Sequence, residues 1–144
     1  MIKLLASSSI VDHALAYARA HQLAPLTVAV LDARGCTIAL KAEDGSSLLR
    51  AEIAQGKAWG ALGMGVGTRN LASRAEKLSV FFSSLSVLSG GRIIPVPGGV
   101  LIRSLEGEVI GACGASGDTA DNDEACVVAA IESARLIADP GGPQ

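Results

Sequence analysis

Aromatic residues are scarce in this chain of 144 residues: one Trp, one Tyr and two Phe. A core must be built from Ala, Val, Leu and Ile instead, and 17 Gly let backbones pack close together. Hydrophobic residues make up 49% of the chain, so apolar surface exceeds what a core of this size hides. We read that excess as a homo-oligomer, since monomers rarely expose large apolar patches. Lys and Arg form no cluster and the formal net charge is −2, which excludes nucleic acid as a partner. Long apolar runs are also missing; the longest, Ala125 to Ile131, makes about two helical turns, too short to span a bilayer. The opening MIKLLASSSIVDHALAYARA carries one Lys, with His13 and Arg19 inside a helical pattern, and is a poor secretory signal. No membrane partner and a cytoplasmic setting are therefore expected.

Cys36, Cys113 and Cys126 share no CxxC spacing, and each sits among apolar neighbours. They read as buried small hydrophobes rather than as thiol or metal chemistry. Both histidines lie in the first helical segment, so no metal site is expected. There is no GxSxG, no GxxxxGK[ST] and no Ser/His/Asp or Cys/His arrangement.

Ser7 to His21 has the spacing of an amphipathic helix, with Ile10, Ala14, Tyr17 and Ala18 on one stripe and Ser8 or Ser9 as its cap. Ala24-Pro25 breaks it. Leu26 to Leu31 is a continuous apolar run, the mark of a central strand, and Asp32 to Gly35 turns it into a returning strand, Cys36 to Leu40. Helices follow over 47–62 and 69–78, and 80–88 is either helix or an apolar lid. Ile93 to Val96, Val100 to Ser104 and Val109 to Ala115 read as strands, and a last helix runs from about Asp121 to Ile137. The order is α-β-β-α-α-β-β-β-α, an α+β domain with a largely antiparallel sheet packed by helices. With no repeat or linker, one domain covers 1–139, and 140–144 is a flexible tail.

The stretch from Gly90 to Glu124 places a Pro-Gly-Gly turn, strands, the Gly-rich turn GACGASGD and an acidic run ahead of the last helix. Unpaired N–H groups at such a helix start favour an anion. The other reading is self-capping, with Asp121 as N-cap and Glu124 closing a capping box. Lys57, alone on a helix of small apolar residues, is either a snorkelling surface cation or a pocket residue aimed at an anion. Trp59 is read as a subunit contact ahead of a binding residue. Arg69 and Arg74 either reach one carboxylate or solvate their helix. The candidate ligand-binding set is Lys57, Arg74, Gly98, Gly99, Gly114, Ser116 and Gly117.

Several of these blocks together resemble the GlcG/HbpS-like family, described as haem-binding or haem-degrading and related to the C-terminal part of PduO-type proteins. The landmarks are Thr27 to Asp32 with Gly35, Asp44-Gly45, Ala54 to Ala58, Pro97 to Val100, Gly107 to Ala112, and Gly114 to Gly117 with Asp121 to Glu124. The resemblance covers the chain from the first helix to about Asp139. It implies a profilin-like fold with a five-stranded antiparallel sheet, oligomers often built from dimers, and haem as a possible cofactor. Haem iron is usually held by His, Cys, Met or Tyr. Only Met64 lies in the central helices, while His13, Tyr17 and His21 lie in the first; Phe81 and Phe82 are core or a porphyrin contact.

Two function classes follow. The first is an oligomeric binding protein for haem, a tetrapyrrole or a small anionic metabolite, its pocket between the Gly-rich turn and the Lys57 helix. The second is a cofactor-free isomerase, lyase or hydratase on a small carboxylate or oxo-acid. There Lys57 and Arg74 hold the carboxylate, Asp123 or Glu124 moves the proton, and the N–H groups of Gly114 to Gly117 steady an enolate-like charge. A plain assembly module is the third reading.

Overall fold

The computed structural model describes residues 1–142. Helix α1, Leu4–Ala20, buries Ser7, Ile10, Val11, Ala14 and Ala18 along one stripe, as a 3.6-residue period requires. It starts three residues earlier than expected. Lys3 is its N-cap and the Ser7 hydroxyl donates to the Lys3 carbonyl, so Ser8 and Ser9 lie inside the helix rather than at its cap.

Strand β1, Thr27–Asp32, is buried at all six positions, and β2, Thr37–Ala42, lies beside it at the sheet edge. The turn between them needs Gly35 at φ +86°, and the Asp32 carboxylate accepts from the Arg34 and Cys36 N–H groups. Cys36 is exposed there, against expectation; Cys113 and Cys126 are buried as expected, and burial pushes the Cys126 thiol up to about 12. Helix α2, Arg50–Met64, ends on Gly65 in the left-handed region. Helices α3, Thr68–Lys77, and α4, Ser79–Leu88, come next, so the 80–88 stretch is a helix. Strands β3, Gly99–Arg103, and β4, Val109–Ser116, helix α5, Ala120–Ser133, and the short β5, Ile137–Asp139, complete the chain.

All strand pairs are antiparallel and the sheet order is β2-β1-β4-β3-β5. The α+β class and the five-stranded antiparallel sheet are as expected, with one strand exchanged. Ile93–Val96 is not a strand: Pro95 and Pro97 have no N–H to give a ladder, and the edge of β3 is taken by β5. α5 therefore stops at Ser133 rather than near Ile137, where Arg135 turns the chain at φ +59°. The Arg103–Asp139 ion pair, 2.8 Å, ties β5 to β3.

The sheet separates two apolar clusters. On one face α1 and α5 enclose Ile10, Val28, Val30, Val100, Ile102, Val127 and Ile131. On the other, α2 lays Ala54, Ala58 and Ala61 on Ala29, Leu31, Leu101 and Ala112. This second contact is close because small residues meet: a Cβ at Gly114 would collide with the Ala54 carbonyl. α4 packs on α3 alone among the elements. Of the expected flexible tail, Pro140 accepts from the Arg69 N–H at 3.2 Å and Gly141 is buried. Pro143 and Gln144 lie outside the described residues.

Candidate functional site

Lys57 is neither a surface cation nor an open pocket residue. The Ala face of α2 carries it under the sheet end, where it is 2% exposed. Its ammonium donates to the Ala115 carbonyl at 2.9 Å and to Asp123 at 3.1 Å. Asp123, 1% exposed, also accepts from the Asp118 N–H at 2.9 Å. Burial pulls Lys57 below the ordinary lysine range and pushes Asp123 above the ordinary carboxylate range, and the charge of each opposes the shift of the other.

The glycines around this pair are there for space. Gly98 has φ +119°, and a Cβ there would stand 2.9 Å from the Lys57 ammonium. Gly99 faces the Lys57 carbonyl and trades two hydrogen bonds with Thr68. Gly117 lets the chain pass the Pro25 carbonyl. Ser116, 1% exposed, accepts from Arg50 at 3.0 Å. Lys57, Gly98, Gly99, Gly114, Ser116, Gly117 and Asp123 are thus gathered in one region, as a filled one.

The start of α5 caps itself, but not through Asp121. Thr119 is the N-cap, extended at φ −67° and ψ 154°, and its hydroxyl accepts from the Asn122 N–H at 3.2 Å. Asp118 accepts from the N–H groups of Ala24 and Thr119 and from the Asn122 amide, which holds its carboxyl below the ordinary range. Asp121 and Glu124 instead receive the Arg69 guanidinium, with Arg69 Nε 2.9 Å from Glu124. No capping box forms. Arg74 is exposed on α3, and its side chain forms no hydrogen bond among the described residues.

A cleft of about 590 Å³ opens beside α2, lined by residues on both sides of Lys57 in sequence but not by Lys57 itself. That volume lies within the ~300–1,000 Å³ of small-molecule sites. Glu52, Ile53, Gln55, Gly56 and Trp59 of α2 form one wall, Leu31, Gly35 and Thr37 of the hairpin another, and Gly90, Gly91, Arg92 and Ile94 the third. The wall after α4 reaches α2 because Gly56 has no side chain: a Cβ there would stand 2.5 Å from Ile94 Cγ1. The Arg92 guanidinium lies 4.0 Å over the Trp59 ring, and its Nε donates to the Ser89 carbonyl at 2.8 Å. Among the described residues, neither its terminal nitrogens nor the Trp59 indole N–H has a hydrogen-bond acceptor. Gln55 is anchored on Thr37 and on the Ala51 carbonyl.

Sequence reasoning missed Arg92, Glu52 and Gln55, and it weighted Trp59 toward a subunit contact. The available signal was the only Trp of the chain on a helix face seven residues after an acidic one. Its partnership with Arg92 is a tertiary fact.

Residues of the kind that hold haem iron stand elsewhere. None of the residues lining the cleft is His, Cys, Met or Tyr, so the cleft supplies no ligand to that iron. His13 and His21 are exposed on α1, across the sheet, each with Nδ1 donating to a carbonyl one turn back. The His21 ring stacks on Tyr17 at 3.9 Å. Met64 is half-buried at the end of α2. Among the described residues no group of three or more His, Cys, Asp or Glu is placed to hold a metal ion.

A five-stranded antiparallel sheet covered by α1 and α5 on one face and by α2 on the other defines a profilin-like α+β protein. The chain belongs to the HbpS-like family, described as haem degrading protein HbpS-like, whose model matches residues 2–132. Solved structures agree. PduOC in complex with haem superposes at a TM-score of 0.84 with 23% identity, covering 94% of this chain and 96% of that one. The Klebsiella pneumoniae protein ORFY gives 0.84 and 26% over 93% and 90%. HbpS gives 0.78 and 22% over 92% and 89%. Among curated proteins no sequence matches. No described helix is long and apolar enough to cross a membrane.

Proposed function

We propose that the protein is an oligomeric small-ligand-binding protein whose ligand, an organic anion with an apolar body, sits in the Trp59–Arg92 cleft. Haem, another tetrapyrrole and a small anionic metabolite all belong to that class. The observation that carries the reading is a cationic donor over the only indole, its terminal N–H groups unpaired, in a cleft that also presents Leu49, Ile53 and Ile94. An acceptor anion completes such a donor set, and Leu31, Leu49, Ile53 and Ile94 offer the rest of the ligand an apolar surface. Family membership and the likeness to a haem complex support ligand binding as the role. The isomerase, lyase or hydratase reading draws no support from the geometry, because Lys57 and Asp123 close on each other and neither lines the cleft. Native mass spectrometry of the purified protein tests the proposal. The expected result is a copurifying organic acid, one per chain, that Arg92→Ala no longer retains. Equal retention by Arg92→Ala would remove the cleft from the account.

A further inference from the structure

We infer that this cleft recognises the organic body and carboxylate of its ligand and is indifferent to any metal at that ligand's centre. The inference rests on the cleft being the binding site and adds the kind of molecule it takes. A guanidinium stacked by its face on an aromatic ring keeps its N–H edge in plane, where it matches the two oxygens of a carboxylate. Arg92 Cζ stands 4.0 Å over the Trp59 ring and Ser89 takes only Nε, so the terminal N–H groups remain for such a pair. Glu52 lines the same cleft yet forms no ion pair with Arg92, so the cation keeps its charge for a ligand. Glu52 and Trp59, seven residues apart on α2, stand roughly 10 Å apart along the helix axis. Between them Ile53 and Ile94, the latter seated on Gly56, present hydrocarbon to a flat body.

This lining has no His, Cys, Met or Tyr, and its one carboxylate is that of Glu52. The soft and imidazole donors that hold haem iron are absent from it; Cys36, exposed between Gly35 and Thr37, is the one such residue beside it in the chain. A tetrapyrrole in the cleft is therefore held by its face and by an acid group on Arg92. Its iron adds no bond. Metal-free porphyrins and flat carboxylic acids belong to the same ligand class as haem.

Calorimetric titration with three probes tests this: haem, metal-free protoporphyrin and 2-naphthoate. Haem and metal-free protoporphyrin are expected to bind within about threefold of each other, and Arg92→Ala to weaken both by about tenfold. Binding of 2-naphthoate that depends on Arg92, with neither porphyrin entering, would keep the cleft as an organic-acid site but overturn the inference. The Soret band of the haem complex should be the same in Cys36→Ser, His13→Ala, His21→Ala and Met64→Ala. Haem binding more than about tenfold tighter than metal-free porphyrin, with a Soret change in one of those variants, would overturn the inference. Failure of the cleft as a site looks different: every probe then ignores Arg92→Ala.

Discussion

Burying an ammonium and a carboxylate costs several kcal/mol per ion unless each finds partners, and Lys57 and Asp123 find them in one another, in Ala115 and in Asp118. That exchange joins three elements: α2 by Lys57, β4 by the Ala115 carbonyl and α5 by Asp123. The pair ties those elements together, and the stability of single variants should show it. Lys57→Met strands a buried carboxylate and should cost about 3–5 kcal/mol in urea unfolding. Lys57→Met with Asp123→Asn should cost less than the sum of the two single changes, because no unpaired charge is left. Additive losses would mean that the two side chains do not interact. Arg92 shows the opposite arrangement: it is exposed, and although it lies over Trp59 and donates Nε to Ser89, no ion pair neutralises its charge.

Among the elements, α4 stands apart. It has no charged residue and rests on α3 alone, yet Val80, Val87 and Leu88 are more than 80% or about 80% exposed, with Phe81 at 48%. An apolar helix in that position lowers its free energy by meeting another surface, which supports the homo-oligomer of the proposal. Val80→Asp with Val87→Asp should reduce the mass seen by light scattering to that of a single chain. The thermal midpoint of the resulting monomer should stay within a few degrees of a Val80→Ser, Val87→Ser control, since neither side chain supports the core. An unchanged oligomeric mass would place the subunit contact elsewhere. α2 is the contrasting element. Its Gly and Ala face lies directly on β4, and its outward face builds a wall of the cleft.

At the scale of the molecule, the sheet and its helices were legible because period and punctuation carry them. The all-apolar run of β1, the Asp32–Gly35 turn and the Ala stripe of α2 each state their burial in local sequence. The exchange of Ile93–Val96 for Ile137–Asp139 was not legible, since a three-residue strand is specified by its partner β3 rather than by its own pattern. The candidate site was half legible. Lys57, Asp123 and the glycines lie in one region, while Arg74 stands apart on α3. Whether they surround space or fill it depends on contacts of a few tenths of an ångström, such as the fit of Gly98 against the Lys57 ammonium. The cleft depends on Arg92 arriving over Trp59 after two left-handed glycines, Gly90 and Gly91, which no spacing rule anticipates.

The central claim is that an organic anion binds by its acid group to Arg92 beside Trp59. A crystal structure of the protein with 2-naphthoate tests it most directly. The account predicts the carboxylate within hydrogen-bond distance of the Arg92 terminal nitrogens and the rings against Ile53, Gly56 and Ile94. Naphthoate ordered instead beside Lys57 and Gly114, or on the α1 face at His13 and His21, would contradict it.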